Sequence, residues 1–158
     1  MITLRKAVIA DADRLYAMQK EAFLPLLEIY KDYGYSPADE KPEKTMRRLT
    51  DAGSDYYVIE LDGMPIGGIR FRRRATDPVG QYNLSPVFIL PSYQNRGYAK
   101  QAIRLAEACY PDAVRFTLDT IKQEEKLRHL YESLGYRPTG EEFNINERMD
   151  IIGYEKKL

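Results

Sequence analysis

One cysteine and one histidine are all that this chain of 158 residues has of the side chains most used in thiol, metal and redox chemistry. With Cys109 alone, an internal disulfide and a cysteine-based metal site are excluded; a reducing compartment suits it, and the residue is expected to fill a small place in the core. His129 stands on a charged stretch beside Leu130, with no visible triad and no second histidine for a metal, and reads as a surface residue. Net charge is missing too. The 24 Lys and Arg residues balance the 24 Asp and Glu, so no global field draws the chain to nucleic acid or to an anionic membrane. The basic run Arg70, Arg72, Arg73, Arg74 is short and reads as the solvated end of a strand. Apolar runs of membrane-spanning length are absent, and Met1-Ile2-Thr3-Leu4-Arg5-Lys6 lacks the apolar region of a signal peptide, so a cytoplasmic protein is expected. Repeats and linkers are absent as well.

What is present is an ordinary globular composition, 44% hydrophobic and 30% charged, which predicts one domain over residues 1–158. Alternation in Ile2–Lys6 predicts a strand, followed by a helix capped by Asp11 or Asp13 with Leu15, Met18 and Ala22 on one face. Pro25 is expected to end or kink that helix, with a short second segment stopping near Gly34. Pro42 suits the start of another helix, carrying Met46 and Leu49 inward and ending at Gly53. The stretches on either side of Asp62-Gly63 read as a hairpin. Gln81–Leu90 reads as a strand in which Pro86 marks a bulge or an edge where the sheet opens. A helix from Gly97 toward Tyr110, a strand at Ala113–Leu118 and a helix ending at Gly135 complete two strand–helix units. Weak strands surround Tyr136 and Met149–Leu158, with Glu141–Glu147 as the turn between them.

The most informative local feature is the order strand, turn, helix around Val87-Phe88-Ile89-Leu90, Pro91 and Gln94-Asn95-Arg96-Gly97-Tyr98-Ala99. A helix amino terminus offers unpaired N–H groups and partial positive charge, and Gly97 and Ala99 leave room for a phosphate to approach the backbone. The lysine and double glycine of a nucleoside-triphosphate loop and the glycine triplet of a dinucleotide fold are both missing.

Gln94, Gly97 and Ala99 match the pattern Gln/Arg-x-x-Gly-x-Gly/Ala, and Leu130-Tyr131-Glu132-Ser133-Leu134-Gly135-Tyr136 matches Leu-Tyr-x-x-x-Gly-Phe/Tyr. With both motifs in that order, the chain resembles the GNAT N-acetyltransferase superfamily along nearly its whole length. The resemblance implies an α/β fold with a mixed, mostly antiparallel sheet splayed between its fourth and fifth strands and flanked by helices. It implies an acyltransferase that uses acetyl-CoA as co-substrate, without a metal. The pyrophosphate is expected on Gln94, Asn95, Arg96, Gly97, Tyr98, Ala99 and Lys100, and the pantetheine arm along Phe88, Ile89 and Leu90, with N–H groups near Ile89 and Leu90 stabilising an oxyanion.

The reaction implied is direct attack of a primary amine, on a small molecule or a peptide, in one ternary complex. Tyr131 is expected to be the proton donor to the departing thiolate and Asp119 a candidate base, although Asp119 also reads as the cap of the next helix. Tyr30 and Tyr33, in a segment rich in tyrosine and carboxylates, are candidate walls for a cationic acceptor. Many such relatives carry asparagine seven residues before the tyrosine, where this chain has Glu124, and alanine at the position of Leu127. Glu124 lends weight to the other reading, an acyl-CoA-binding sensor or regulatory module without turnover. The resemblance also admits a homodimer through the carboxy-terminal strands.

Overall fold

A computed structural model describes residues 1–158 and orders seven strands in one sheet as β1-β2-β3-β4-β5-β7-β6. β1 (Ile2–Lys6) pairs antiparallel with β2 (Ser54–Leu61), which turns into β3 (Met64–Arg72). Asp62 and Gly63 at that turn are both left-handed, with φ of 50° and 84°, as a two-residue I′ hairpin requires.

Between β1 and β2 lie α1 (Ala12–Tyr30) and α2 (Pro42–Thr50). α1 does not stop at Pro25; it runs on to Tyr30 and ends with Lys31 left-handed, its N–H on the Leu27 carbonyl. Pro25 and Glu21, whose carbonyl loses the usual donor, are both exposed, so the missing bond falls on the solvent side of the helix, where it costs least. α2 also departs from expectation. Met46 is exposed, and the residues it buries are Thr45 and Arg48. Arg48 forks onto Glu40 at 2.7 and 3.0 Å and reaches Gln19 of α1 at 3.3 Å, so a satisfied polar network takes the place of an apolar contact.

β4 (Gln81–Ile89) pairs with β3, and the register passes from Ile69↔Val87 to Phe71↔Leu84. Two residues, Ser85 and Pro86, therefore stand opposite the single Arg70, which is a β-bulge. β4 also pairs in parallel with β5 (Arg115–Ile121), but only from Gln81↔Arg115 to Asn83↔Thr117. At that last pair the Asn83 side-chain amide donates to the Thr117 carbonyl and hydroxyl at 3.3 and 3.0 Å. Beyond it the two strands part, as Pro86 predicts.

α3 (Tyr98–Glu107) links β4 to β5, and α4 (Glu125–Ser133) links β5 to β6 (Arg137–Asn144). β6 occupies most of the segment expected to be a turn, and the chain reverses after it into β7 (Asp150–Lys157). It lacks an alternating pattern because it is an edge strand exposed along nearly its whole length, held by its backbone to β7. Cys109, expected inside, is exposed just past α3, its thiol on the Leu105 carbonyl.

The sheet divides the interior. On one face Leu15, Met18 and Ala22 of α1 pack on Tyr56, Val58 and Phe88. On the other, Ala102, Ile103 and Ala106 of α3, Tyr131 of α4 and Leu134 just past its end join Ile59, Ile69, Ile89 and Leu118 in the main core. Alternation along β2 and β4 assigns the faces, since Val58 and Phe88 point one way and their neighbours Ile59 and Ile89 the other.

Candidate active site

The turn before α3 is a cradle of backbone donors. None of the six consecutive N–H groups from Asn95 to Lys100 has a backbone partner; the first bond of the helix is Gln101 N–H to the Gly97 carbonyl. Asn95 and Gly97 are left-handed, with φ of 62° and 81°, an alternation that turns successive amides to one side as an anion nest does. A side-chain atom placed on Gly97 would meet nothing within 4 Å, so the cradle opens outward. Arg96 and Lys100 add positive charge, and the first turn of α3 holds no acid. Gln94 turns its amide nitrogen inward to the Ile89 carbonyl at 2.8 Å, so its part is to fix the turn against the end of β4.

The edge of β4 beyond the bulge faces the split. Leu90 N–H is taken by the Ile66 carbonyl at 2.8 Å. Antiparallel pairing alternates donors, so the Ile89 N–H points away from β3, toward the gap where β5 has left. Of the two donors expected near the strand end, Ile89 has the open one and Leu90 does not. Phe88 packs its ring edge-on against Phe23 with centroids 6.3 Å apart, and contributes packing beneath α1.

Tyr131 lies on the same face as α3, 7% exposed, with its ring 6.1 Å from Tyr136 and 6.4 Å from Tyr154. Its two neighbours have committed hydroxyls, Tyr136 to Glu107 and Tyr154 to Glu132, each at 2.6 Å. Burial alone pushes Tyr131 up to about 12, with no hydrogen bond contributing, so its phenol is protonated and uncommitted at neutral pH.

Asp119 sits inside β5, not at a helix cap, because α4 starts only at Glu125. Partial burial, then the charge of Glu141, raise its carboxyl above the ordinary aspartate range, and Arg72 pulls the other way. Tyr35, from the loop after α1, lies within electrostatic reach of it. Tyr30 is buried against Met149 and Ile151, and its hydroxyl donates to Glu124 at 2.5 Å. Glu124 thus clasps the end of α1 to the start of α4. Tyr33 is 67% exposed.

One group escaped the sequence reading. Arg70, expected on a solvated strand end, is 5% exposed, and its Nε donates to the Ser85 carbonyl at 2.6 Å inside the bulge. The signal was its place between Ile69 and Phe71, both core residues of β3.

A sheet split over an amide cradle, with a protonated phenol on the same face, is the layout of an acyl-CoA-dependent acyltransferase. Comparison with known proteins supplies the family: a model described as the acetyltransferase (GNAT) family matches residues 15–136, and the chain belongs to that family. It is 25% identical over 114 residues to the uncharacterized N-acetyltransferase YjgM of Escherichia coli K12, an alignment covering 66% of this chain and 64% of that protein. The fold is similar to that of the PaiA N-acetyltransferase of Thermoplasma acidophilum in complex with coenzyme A, at 18% identity and a TM-score of 0.76 over 100% of this chain and 99% of that one. It is also similar to the spermidine N-acetyltransferase of Vibrio cholerae in complex with CoA and spermine, at 20% identity and a TM-score of 0.76 over 99% and 95% of the two chains. No helix is long and apolar enough to cross a membrane.

Proposed function

We propose that this protein moves the acetyl group of acetyl-CoA to a primary amine by direct attack, with both substrates bound at once. The observation that carries the reading is the run of six free amides from Asn95 to Lys100, on the same face as the uncommitted Tyr131 hydroxyl. Those amides, with Arg96 and Lys100, would hold the pyrophosphate, and the open edge of β4 from Phe88 to Leu90 would receive the amide-bearing arm. Bound acetyl-CoA supplies the thioester. The amine nitrogen bonds to the acyl carbon, the carbon–sulfur bond breaks, the amine proton leaves to a base, and Tyr131 returns a proton to sulfur. The Ile89 N–H is the donor available to the carbonyl oxygen as it gains charge.

Asp119 is the base in this reading. A carboxylate must be ionised to accept a proton, so kcat/KM is expected to rise with pH through a limb above the ordinary aspartate value of about 3.9. Asp119→Asn should remove that limb. The folded-state value is raised, so the aspartate's contribution to stability is full below its unfolded value and is lost as pH rises through the folded one. Asn should therefore be at least as stable as the parent at neutral pH while losing rate, which pH–rate profiles and thermal melts check together.

Two measurements test the function itself: calorimetric titration with acetyl-CoA, and thiol release when amines are added. Binding with a Kd on the order of micromolar and amine-dependent thiol release are expected. An intact, folded protein that binds no acetyl-CoA would remove the reading.

A further inference from the structure

On the α1–α2 face a cavity of about 730 Å³ opens beside the bulge of β4, with Ser85 and Pro86 in its wall. Five cations line it, Lys44, Arg47, Arg48, Arg70 and Arg72, against two acids, Glu40 and Asp51. Lys44 and Arg48 are both paired with Glu40, at 3.1 and 2.7 Å. Arg70 has no such partner: its guanidinium donates to two neutral oxygens, the Ser85 carbonyl at 2.6 Å and the Ser54 hydroxyl at 3.3 Å. Burial, then Arg48 and Arg72, push it down to about 10, which leaves it a cation at neutral pH. Beside it, Arg72 Nε and the Tyr56 hydroxyl are buried without a hydrogen-bond partner, and Tyr56 stands directly opposite Arg70 in the β2–β3 register. Packing and bulge formation account for Arg70 Nε, and the Ser54 hydroxyl for one N–H of Nη1, which leaves Nη2 without a hydrogen-bond partner. A buried, unpaired cation flanked by two orphan polar atoms is costly unless an anion completes it.

Resting on the acetyltransferase reading above, we infer that this cavity binds the anionic end of the acceptor. The substrate is an amine that also carries a carboxylate or phosphate, gripped by Arg70 and Arg72 of the cavity wall. The position suits that role. Ser85 and Pro86 follow closely on Asn83, where β4 and β5 part, and Asp119 across the split feels the charge of Arg72 and in turn acts on the wall residue Tyr35. An acceptor anchored by its anion here would extend its amine toward Asp119. A polycation, by contrast, would meet a wall with three positive charges in excess.

The test is a calorimetric titration in the presence of saturating CoA, which fills the amide cradle and leaves the cavity as the anion site. The probes are γ-aminobutyrate and aminoethylphosphonate, with butylamine and spermidine as amines lacking an anion. The oxyanion-bearing amines should bind roughly 10- to 100-fold more tightly than butylamine. Arg70→Gln and Arg72→Gln should each erase most of that preference, Arg70→Lys should keep part of it, and CoA affinity should be unchanged in all three. Equal or tighter binding of butylamine or spermidine would overturn the inference, and so would an unaltered preference in both glutamine variants. If Arg70→Gln fails to fold, Arg72→Gln and Arg70→Lys decide. Failure of the parent to bind CoA would overturn the acyltransferase reading separately, while the ranking of probes still scores the cavity.

Discussion

Tyr131→Phe is expected to lower kcat for acetyl transfer by a factor of about 10² to 10⁴, the range over which a positioned general acid contributes, while acetyl-CoA binds as tightly as before. Three tyrosines meet in this part of the core, and only one is chemically available. Tyr136 and Tyr154 donate their hydroxyls in hydrogen bonds to Glu107 and Glu132, whereas Tyr131, raised to about 12 by burial alone, keeps a hydroxyl with no such partner. The phenylalanine variant retains the ring contacts at 6.1 and 6.4 Å, so its melting temperature should stay close to that of the parent and a loss of rate can be assigned to the missing hydroxyl. Steady-state kinetics beside an acetyl-CoA titration separate the two effects. Undiminished turnover would mean that the thiolate leaves unaided. Binding without turnover in parent and variant alike, across a broad panel of amines, would favour a non-catalytic acyl-CoA-binding module.

Gly97→Trp should weaken acetyl-CoA by roughly 100-fold or more, because losing two or three charge-assisted hydrogen bonds of about 1.5–3 kcal/mol each is worth at least that. Gly97 is at φ 81°, and the space beyond it is open, so the indole would stand over the amides from Asn95 to Lys100 without displacing the core. Gly97→Ala separates obstruction from backbone strain. A methyl group there touches nothing within 4 Å, leaving only the left-handed penalty of about 1–2 kcal/mol. Calorimetry should therefore show a much smaller loss for Ala than for Trp, with both variants folded by thermal melt. A tryptophan variant that binds acetyl-CoA normally would put the pyrophosphate elsewhere.

The elements with strong local signals were legible before the structure: the Asp62-Gly63 hairpin, the opening of the sheet at Pro86, the strand–turn–helix at Gln94–Ala99 and the stop at Gly135. Where tertiary context outweighs local preference, reading failed. Pro25 passes through α1 because the bond it removes faces water, and β6 forms from a polar segment because β7 offers it an edge. α2 buries Arg48 because Glu40 and Gln19, distant in sequence, satisfy it. The same blindness hid the cationic cavity, since the Arg70–Arg74 run reads as one solvated stretch unless its first member is set apart by the apolar Ile69 and Phe71 on either side. Cys109 was misplaced for the simpler reason that the helix ends before turning it inward. Within the cradle, motif spacing identified the turn, but only hydrogen bonding distinguishes the amides that are free from the Gln94 side chain that holds them in place.

The cradle and Tyr131 belong to the face of the sheet that carries α3 and α4, and the arginine cavity to the face that carries α1 and α2. With the sites proposed above, the two substrates would meet through a slit and share no doorway. In that arrangement each would come and go while the other stays, so neither product would block the arrival of the next donor or acceptor. A synthetic conjugate joining coenzyme A to an anionic amine would have to pass one end through the slit, and its capture would be slow however tight the final grip.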